Sequence, residues 1–410
     1  MSFPPIDGDR LWSDLMTLAR IGELPAGGCD RLALSDADGM ARNVFRYWME
    51  EIGLKVSVDP IGNMVGRREG TDPSLPPIMM GSHLDTQQPG GKYDGPLGVL
   101  GGLACLRAIA AAGRATRHPI EVVNWTNEEG ARFQPGLLGS AVFTGQLDLE
   151  TAHATKDVGG RSVFDELRRI RYLGDAPLQR KVDSYFELHI EQGDRLEKAG
   201  ITIGNVAGCE YNLFAEITCH GRNGHSQATP MDQRANALAA AAEVIVAIEE
   251  IGRRHFPAGS AGVASLRLWP NNRINIPHLA RMSYSATHPD RAGMAQIRRE
   301  VTEAVEAAET RTGLRIEIEQ PPEREAVDFD ASLGALVERA AEELGHSTMS
   351  LRSRAGHDAI RMAPHCPTQM IFVPCKDGIS HSEFEEMTKQ HAVAGTEVML
   401  RAVLARDGAA

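Results

Sequence analysis

The spacing of apolar residues changes along this chain, and each change marks an element. Apolar positions three and four apart over 34–52 predict a helix. A short run at 55–58 predicts a strand, and Asp59-Pro60-Ile61-Gly62-Asn63 predicts the turn after it. Pro76-Pro77 introduces an apolar run at 78–81 that suits a buried strand. The stretch 98–112 is apolar, Ala-rich and long enough for a helix, and the β-branched run 120–125 reads as the next strand. Strand, helix and strand at this spacing indicate a parallel sheet with crossover helices. A further central strand is expected at 184–190.

The texture changes near residue 210. A strand is expected at 213–219, a long Ala-rich amphipathic helix at 231–251 and strands at 264–268 and 281–286. A charged helix at 290–311 and a strand at 315–319 complete a β-α-β-β-α-β order, that of a ferredoxin-like α+β unit. Pro321-Pro322 stops it. The α/β texture then returns, with a helix at 333–344, a strand at 369–373 and a last helix from 384. The expected fold is therefore α/β. A domain of residues 1–211 and 329–410, with a mostly parallel sheet flanked by helices, is interrupted by an inserted domain of residues 212–328.

Charge and composition narrow the function. Lys and Arg number 43 against 55 Asp and Glu, a formal net charge of −12, the wrong sign for phosphate binding. The start carries no cationic and apolar leader, and no stretch approaches the roughly 20 apolar residues of a spanning helix. The six cysteines are scattered with no C-x-x-C pair, so neither a disulfide framework nor a zinc ribbon is expected. These features predict a cytoplasmic protein with no nucleic-acid or membrane partner.

Five places put His, Asp or Glu at strand ends or in the adjoining loops, where open α/β sheets gather their ligand sites. They are Gly81-Ser-His-Leu-Asp-Thr86, Gly91-Lys-Tyr-Asp-Gly95, Asn127-Glu-Glu-Gly130, Glu187-Leu-His-Ile-Glu-Gln-Gly193 and Gly378-Ile-Ser-His-Ser382. Together they offer imidazoles and carboxylates without a thiolate, the set that catalytic metals with open positions require. In the tandem Glu128-Glu129, one carboxylate can bind metal while the other acts as a base.

These runs resemble the M20 metallohydrolases, in the hydantoinase/carbamoylase branch that holds N-carbamoyl-L-amino acid hydrolases, allantoate amidohydrolases and β-ureidopropionases. The matching runs are GSHLDTQQPGGKYDGPLGVLGGL (81–103), NWTNEEGARF (124–133), LLGSAVFTG (137–145), YFELHIEQG (185–193), GHSQATPMDQRANAL (224–238), AGHDAIRMA (355–363) and GISHSEFE (378–385). The resemblance implies two divalent metal ions per subunit, Zn²⁺ or Mn²⁺ with Co²⁺ and Ni²⁺ also suitable. It implies His83 and His189 as ligands of one, Glu129 and His381 of the other, and Asp94 as the bridge. Glu128 is then the general base for a metal-bridging hydroxide. His225, on an inserted lid and dimerisation domain, reaches the partner subunit's site in a homodimer. Gln192 and Asn275 resemble substrate contacts, and His357 a histidine close to the metals. The implied activity is hydrolysis of a non-peptide C–N bond in a linear amide or amidine, with an N-carbamoyl (ureido) or related small molecule as substrate.

The substrate-reading positions depart from the branch. Thr287 stands where an Arg-His-Pro-Asp run would place the arginine that clamps a substrate carboxylate. Threonine cannot supply that bidentate fork. Arg273 is the nearest substitute cation. The expectation is an active amidohydrolase with altered substrate recognition. An aminoacylase or peptidase of the same clan is the alternative, against which HIEQG and GGKYDG count. A catalytically silent ligand-binding homodimer would require a broken ligand set or a lost base.

Overall fold

A computed structural model describes residues 3–408. The chain forms two compact units. One is built from the chain up to Gly208 and from Asp328 onward, the other from Cys209–Val327.

The sheet of the larger unit runs, edge to edge, Lys55–Val58, Met64–Arg68, Ile120–Trp125, Ile78–His83, Ser184–Ile190, Thr368–Val373, Ile203–Cys209 and Val327–Asp328. Thr348–Ser353 also pairs with Ile203–Cys209. The four central strands are parallel, whereas Met64–Arg68 runs antiparallel to Ile120–Trp125 and Ile203–Cys209 antiparallel to Thr368–Val373. Every residue of Ile78–His83, Ile120–Trp125, Ser184–Ile190 and Thr368–Val373 is buried. Strands covered on both faces need not alternate apolar with polar positions, and the buried polar residues here include Glu121, Asn124, Glu187 and His189. The helix Pro96–Ala111 packs on Ile78–His83 and Ile120–Trp125, and it is itself covered by Lys389–Gly408.

In the smaller unit the strands lie in the order Arg315–Glu319, Tyr211–His220, Leu279–His288, Ser260–Trp269, all antiparallel. The helices Ala237–His255 and Arg291–Thr312 pack with them around Ile217, Val244, Ile248, Tyr284, Ile297 and Val301. The chain order is β-α-β-β-α-β.

Two expected elements change. The helix expected over 231–251 is broken: Met231–Gln233 is a single tight turn, and the helix starts only at Ala237. Asn236 caps it, its Oδ1 accepting from Leu238 N at 3.1 Å, so a side chain competes with continued helix at that point. The last helix begins at Lys389 rather than near 384, because residues 376–388 carry site loops. The helix Gly8–Ala19 and the strands Met64–Arg68, Ile203–Cys209 and Thr348–Ser353 escape the pattern reading. Met64–Arg68 and Ile203–Cys209 mix polar or glycine residues into short runs, which blurs a period of two. Among the described residues, no helix is long and apolar enough to cross a membrane.

Candidate metal centre

The parallel strands deliver the site from their carboxyl ends. His83 closes Ile78–His83, and His189 lies one residue from the end of Ser184–Ile190. Glu128 and Glu129 follow Ile120–Trp125 through a turn in which Asn127 takes φ +55°. The Asn127 amide donates to Phe133 O at 2.8 Å and Pro135 O at 3.3 Å, which holds that conformation. Gln192 and His381 also have positive φ, at +57° and +52°. Such backbone is costly for residues with a Cβ and persists where the surroundings enforce it, commonly at functional sites.

Two groups of three side chains converge here. His83, Asp94 and His189 form one, and Asp94, Glu129 and His381 the other; in each, the possible ligand atoms lie within 4.8 Å of one another. Asp94 is common to both, and its two oxygens divide between them. Oδ1 lies 3.5 Å from His83 Nε2 and 3.1 Å from His189 Nε2, while Oδ2 lies 3.4 Å from His381 Nε2. Glu129 Oε2 is 3.3 Å from the same His381 nitrogen. Glu128 is buried, with Oε2 3.5 Å from His83 Nε2.

The donor chemistry fits divalent cations. Nδ1 of His83 faces Asp85 O at 2.8 Å, and Nδ1 of His189 faces Ile190 O at 2.9 Å. A carbonyl oxygen can only accept, so each ring carries its proton on Nδ1 and turns a lone pair on Nε2 toward Asp94. Both Nε2 atoms are buried without a hydrogen-bond partner, which a metal ion would supply. The set is imidazole and carboxylate throughout. All six cysteines are buried free thiols, and none belongs to either group.

Electrostatics separates the carboxyls. Burial alone would raise Asp94, but His189, His381 and His83 outweigh it and hold Asp94 well below the usual carboxylate range. Burial drives Glu128 the other way. Asp358, Glu129 and Asp94 add to that effect, and together they outweigh His83, so Glu128 lies well above its usual value. Burial would lower His381, yet hydrogen bonds to Asp94 and Glu129 push it up to about 11. Neighbouring acids with divergent proton affinities are the arrangement that assigns one to charge and another to proton transfer.

The remaining sequence-predicted residues fall into two sets. Gln192 and His357 lie in the larger unit. Gln192 Nε2 donates to Asp94 Oδ2 at 2.7 Å, so its amide rests on the shared carboxylate. The buried His357 ring lies 4.6 Å from that of His189, with Nε2 2.9 Å from Ser353 Oγ. His225, Arg273, Asn275 and Thr287 belong to the smaller unit. His225 pairs directly with Asn275 across a two-stranded ribbon, and Arg273 O accepts from Ser226 Oγ at 3.2 Å beside it. His225 Nδ1 accepts from Gln227 N at 3.2 Å and Ala228 N at 3.1 Å, which places its proton on Nε2. Thr287 lies apart from these, near the far end of Leu279–His288, opposite Asn212. Its hydroxyl donates to Glu210 Oε2 at 3.0 Å, and both side chains are buried.

Sequence reasoning gave no individual role to three further acids. Asp85 accepts from Glu128 N at 3.3 Å and Glu129 N at 3.2 Å, fixing the tandem pair. Glu187 lies beneath the site, accepting from Ser82 Oγ at 2.8 Å and Ala359 N at 2.9 Å. Glu385 accepts from the backbone of the Asp94 loop. Asp85, Glu187 and Glu385 lie within the runs 81–103, 185–193 and 378–385, but spacing alone does not separate a ligand from its support.

Comparison with known proteins agrees with this arrangement. Residues 79–405 match the model of peptidase family M20/M25/M40. The chain is 44% identical over 400 residues to an N-carbamoyl-L-amino-acid amidohydrolase of Rhizobium meliloti, covering 97% of this chain and 96% of that one. It is 31% identical over 410 residues to an allantoate deiminase of Arabidopsis thaliana, covering 90% and 78%. A crystal structure of a hydantoinase/carbamoylase family amidase from Burkholderia vietnamiensis superposes with a TM-score of 0.95 at 42% identity, covering 98% of each chain. Sequence, fold and the disposition of its histidines and carboxylates agree: the chain belongs to the M20/M25/M40 family, in its hydantoinase/carbamoylase branch.

Proposed function

We propose that this protein is a metal-dependent amidohydrolase that cleaves a C–N bond of a ureido or related linear amide small molecule. The observation that carries the reading is the convergence of two ligand groups on the opposite oxygens of Asp94, with Glu128 beside them. His83, Asp94 and His189 would hold one divalent ion, and Asp94, Glu129 and His381 a second. Ions bound there would activate water near neutral pH and polarise a carbonyl oxygen. Glu128, held near His83 but outside both groups, takes the proton of the attacking water and passes it to the leaving nitrogen. The Nε2–H of His225 donates to the carbonyl oxygen as negative charge builds there. A carbamoyl substrate and one water then yield the amine, carbon dioxide and ammonia.

Within the smaller unit, His225 lies on the two-stranded ribbon whose Asn275–Ile276 strand leads into the Leu279 end of Leu279–His288, and Thr287 lies near that strand's other end. Leu279 and Thr287 alone are eight residues apart, about 26 Å of strand. As the likeness to the carbamoylase branch implies, His225 is read as serving the partner subunit's site in a homodimer. The edge strand Ser260–Trp269, with Leu266 and Trp269 exposed, and the exposed Val246 of Ala237–His255 offer the interface. Gln192, Asn275 and His357 would contact or border the substrate. Thr287, committed to Glu210, brings no cation, so a substrate carboxylate is either absent or read by Arg273. The six free thiols suit a reducing, cytoplasmic setting.

The test is release of ammonia and amine from N-carbamoyl-L-amino acids, allantoate and β-ureidopropionate beside carboxylate-free ureas and amides, with Mn²⁺, Zn²⁺ or chelator. Metal-dependent turnover of any of them supports the reaction class. Turnover confined to carboxylate-free compounds supports altered recognition; turnover of the acids requires another cation. A protein that turns over N-acyl amino acids or peptides and no ureido compound would contradict the reading.

A further inference from the structure

We infer that Glu385 is the residue that positions Asp94 for both halves of the centre, an inference that rests on reading the two groups as metal sites. Glu385 arises four residues after His381, on the same loop. Its side chain is buried, and Oε1 accepts from Tyr93 N at 2.8 Å and from Asp94 N at 3.1 Å. One carboxyl thus ties the backbone of the shared ligand to the loop that carries a ligand of the second group. Gly91 makes room for it, since a Cβ there would overlap the Glu385 carboxylate. The loop turns back toward it through Glu385 N donating to Ser382 O at 3.1 Å. Glu385 belongs to neither ligand group, so it is a positioning residue and not a ligand. Because the two oxygens of Asp94 point into different groups, displacing its backbone disturbs both at once.

The test measures Mn²⁺ content after gel filtration and Mn²⁺ affinity by competition with a chelating indicator. The proteins are the full-length wild type, Glu385→Ala and Glu385→Gln, and activity is recorded in parallel. Removing a group that hydrogen-bonds a metal ligand commonly costs about 10–100-fold in metal affinity. A loss of that order at both sites together is expected for Glu385→Ala, with kcat falling more than KM rises. Glu385→Gln keeps an oxygen that accepts the same two N–H bonds, and is expected to retain both ions. Should Glu385→Ala not fold, as judged by circular dichroism, Gly91→Ala gives the same reading by pushing the carboxylate off the loop. Two ions held at wild-type affinity by the alanine variant would overturn the inference alone. So would loss confined to one site, or an equal loss in Glu385→Gln. A wild type that takes up no Mn²⁺ would overturn the metal-centre reading as well.

Discussion

At the scale of single residues, the site is a matter of which atoms are left facing Asp94. Backbone carbonyls fix the His83 and His189 tautomers, and Asp85 holds the tandem glutamates by their amides. Glu128→Gln should therefore leave metal content unchanged while kcat drops by about 10²–10⁴-fold, the usual worth of a positioned general base. Full activity in that variant would remove Glu128 from the mechanism. Gly95 makes the complementary prediction. It has φ +81°, and a Cβ there would overlap the His83 imidazole. Gly95→Ala should lower metal affinity with the ligands themselves intact, read by Mn²⁺ content after dialysis. The candidate site's residue types were legible in the sequence because His, Asp and Glu gather at strand ends and in the adjoining loops. The supports Asp85, Glu187 and Glu385 were not, because their partners are backbone amides or side chains far away in the chain.

At the scale of elements, strands buried on both faces were the easiest to read, and the shifted helix starts the hardest. The helix Asp36–Glu51 shows why a periodic pattern says little about what an element does. Its Asp38 and Arg42 are both buried, with Arg42 Nε 2.8 Å from Asp38 Oδ2. Arg42 also donates to Gly62 O at 2.7 Å and Thr126 Oγ1 at 3.2 Å, one residue before the turn into Glu128. Removing one partner of a buried pair leaves the other charge without compensation, commonly at about 3–5 kcal/mol. Arg42→Ala should lower stability by that order in denaturant unfolding of the larger unit's transition. A change below about 1 kcal/mol, the scale of an exposed pair, would show that the pair is solvated.

At the scale of the whole molecule, acid stability gives a further check. Burial would raise Glu166, but Arg169 and Arg132 outweigh it and hold the carboxyl down to about 2. A folded pKa below the unfolded value contributes stability that is fully present above pH ~4.5 and fades as pH falls toward 2. Melting temperatures of wild type and Glu166→Gln should differ most at neutral pH and converge near pH 2–3; a gap that is constant with pH would contradict this. The insertion of one texture into another was visible in the order of elements. The partner of each surface was not, because a sequence of one chain does not state which faces meet a second copy.

Everything above turns on a two-ion centre built on Asp94 with Glu128 as its base. Its most direct test is to strip the protein with chelator, titrate Mn²⁺ back, and follow ammonia release from the ureido panel against equivalents bound. No turnover is expected without metal, and activity should saturate at two equivalents per chain. A Glu128→Gln variant should bind the same two ions with kcat lower by about 10²–10⁴-fold. Full activity in the stripped protein, or saturation at a single equivalent, would contradict the two-ion centre.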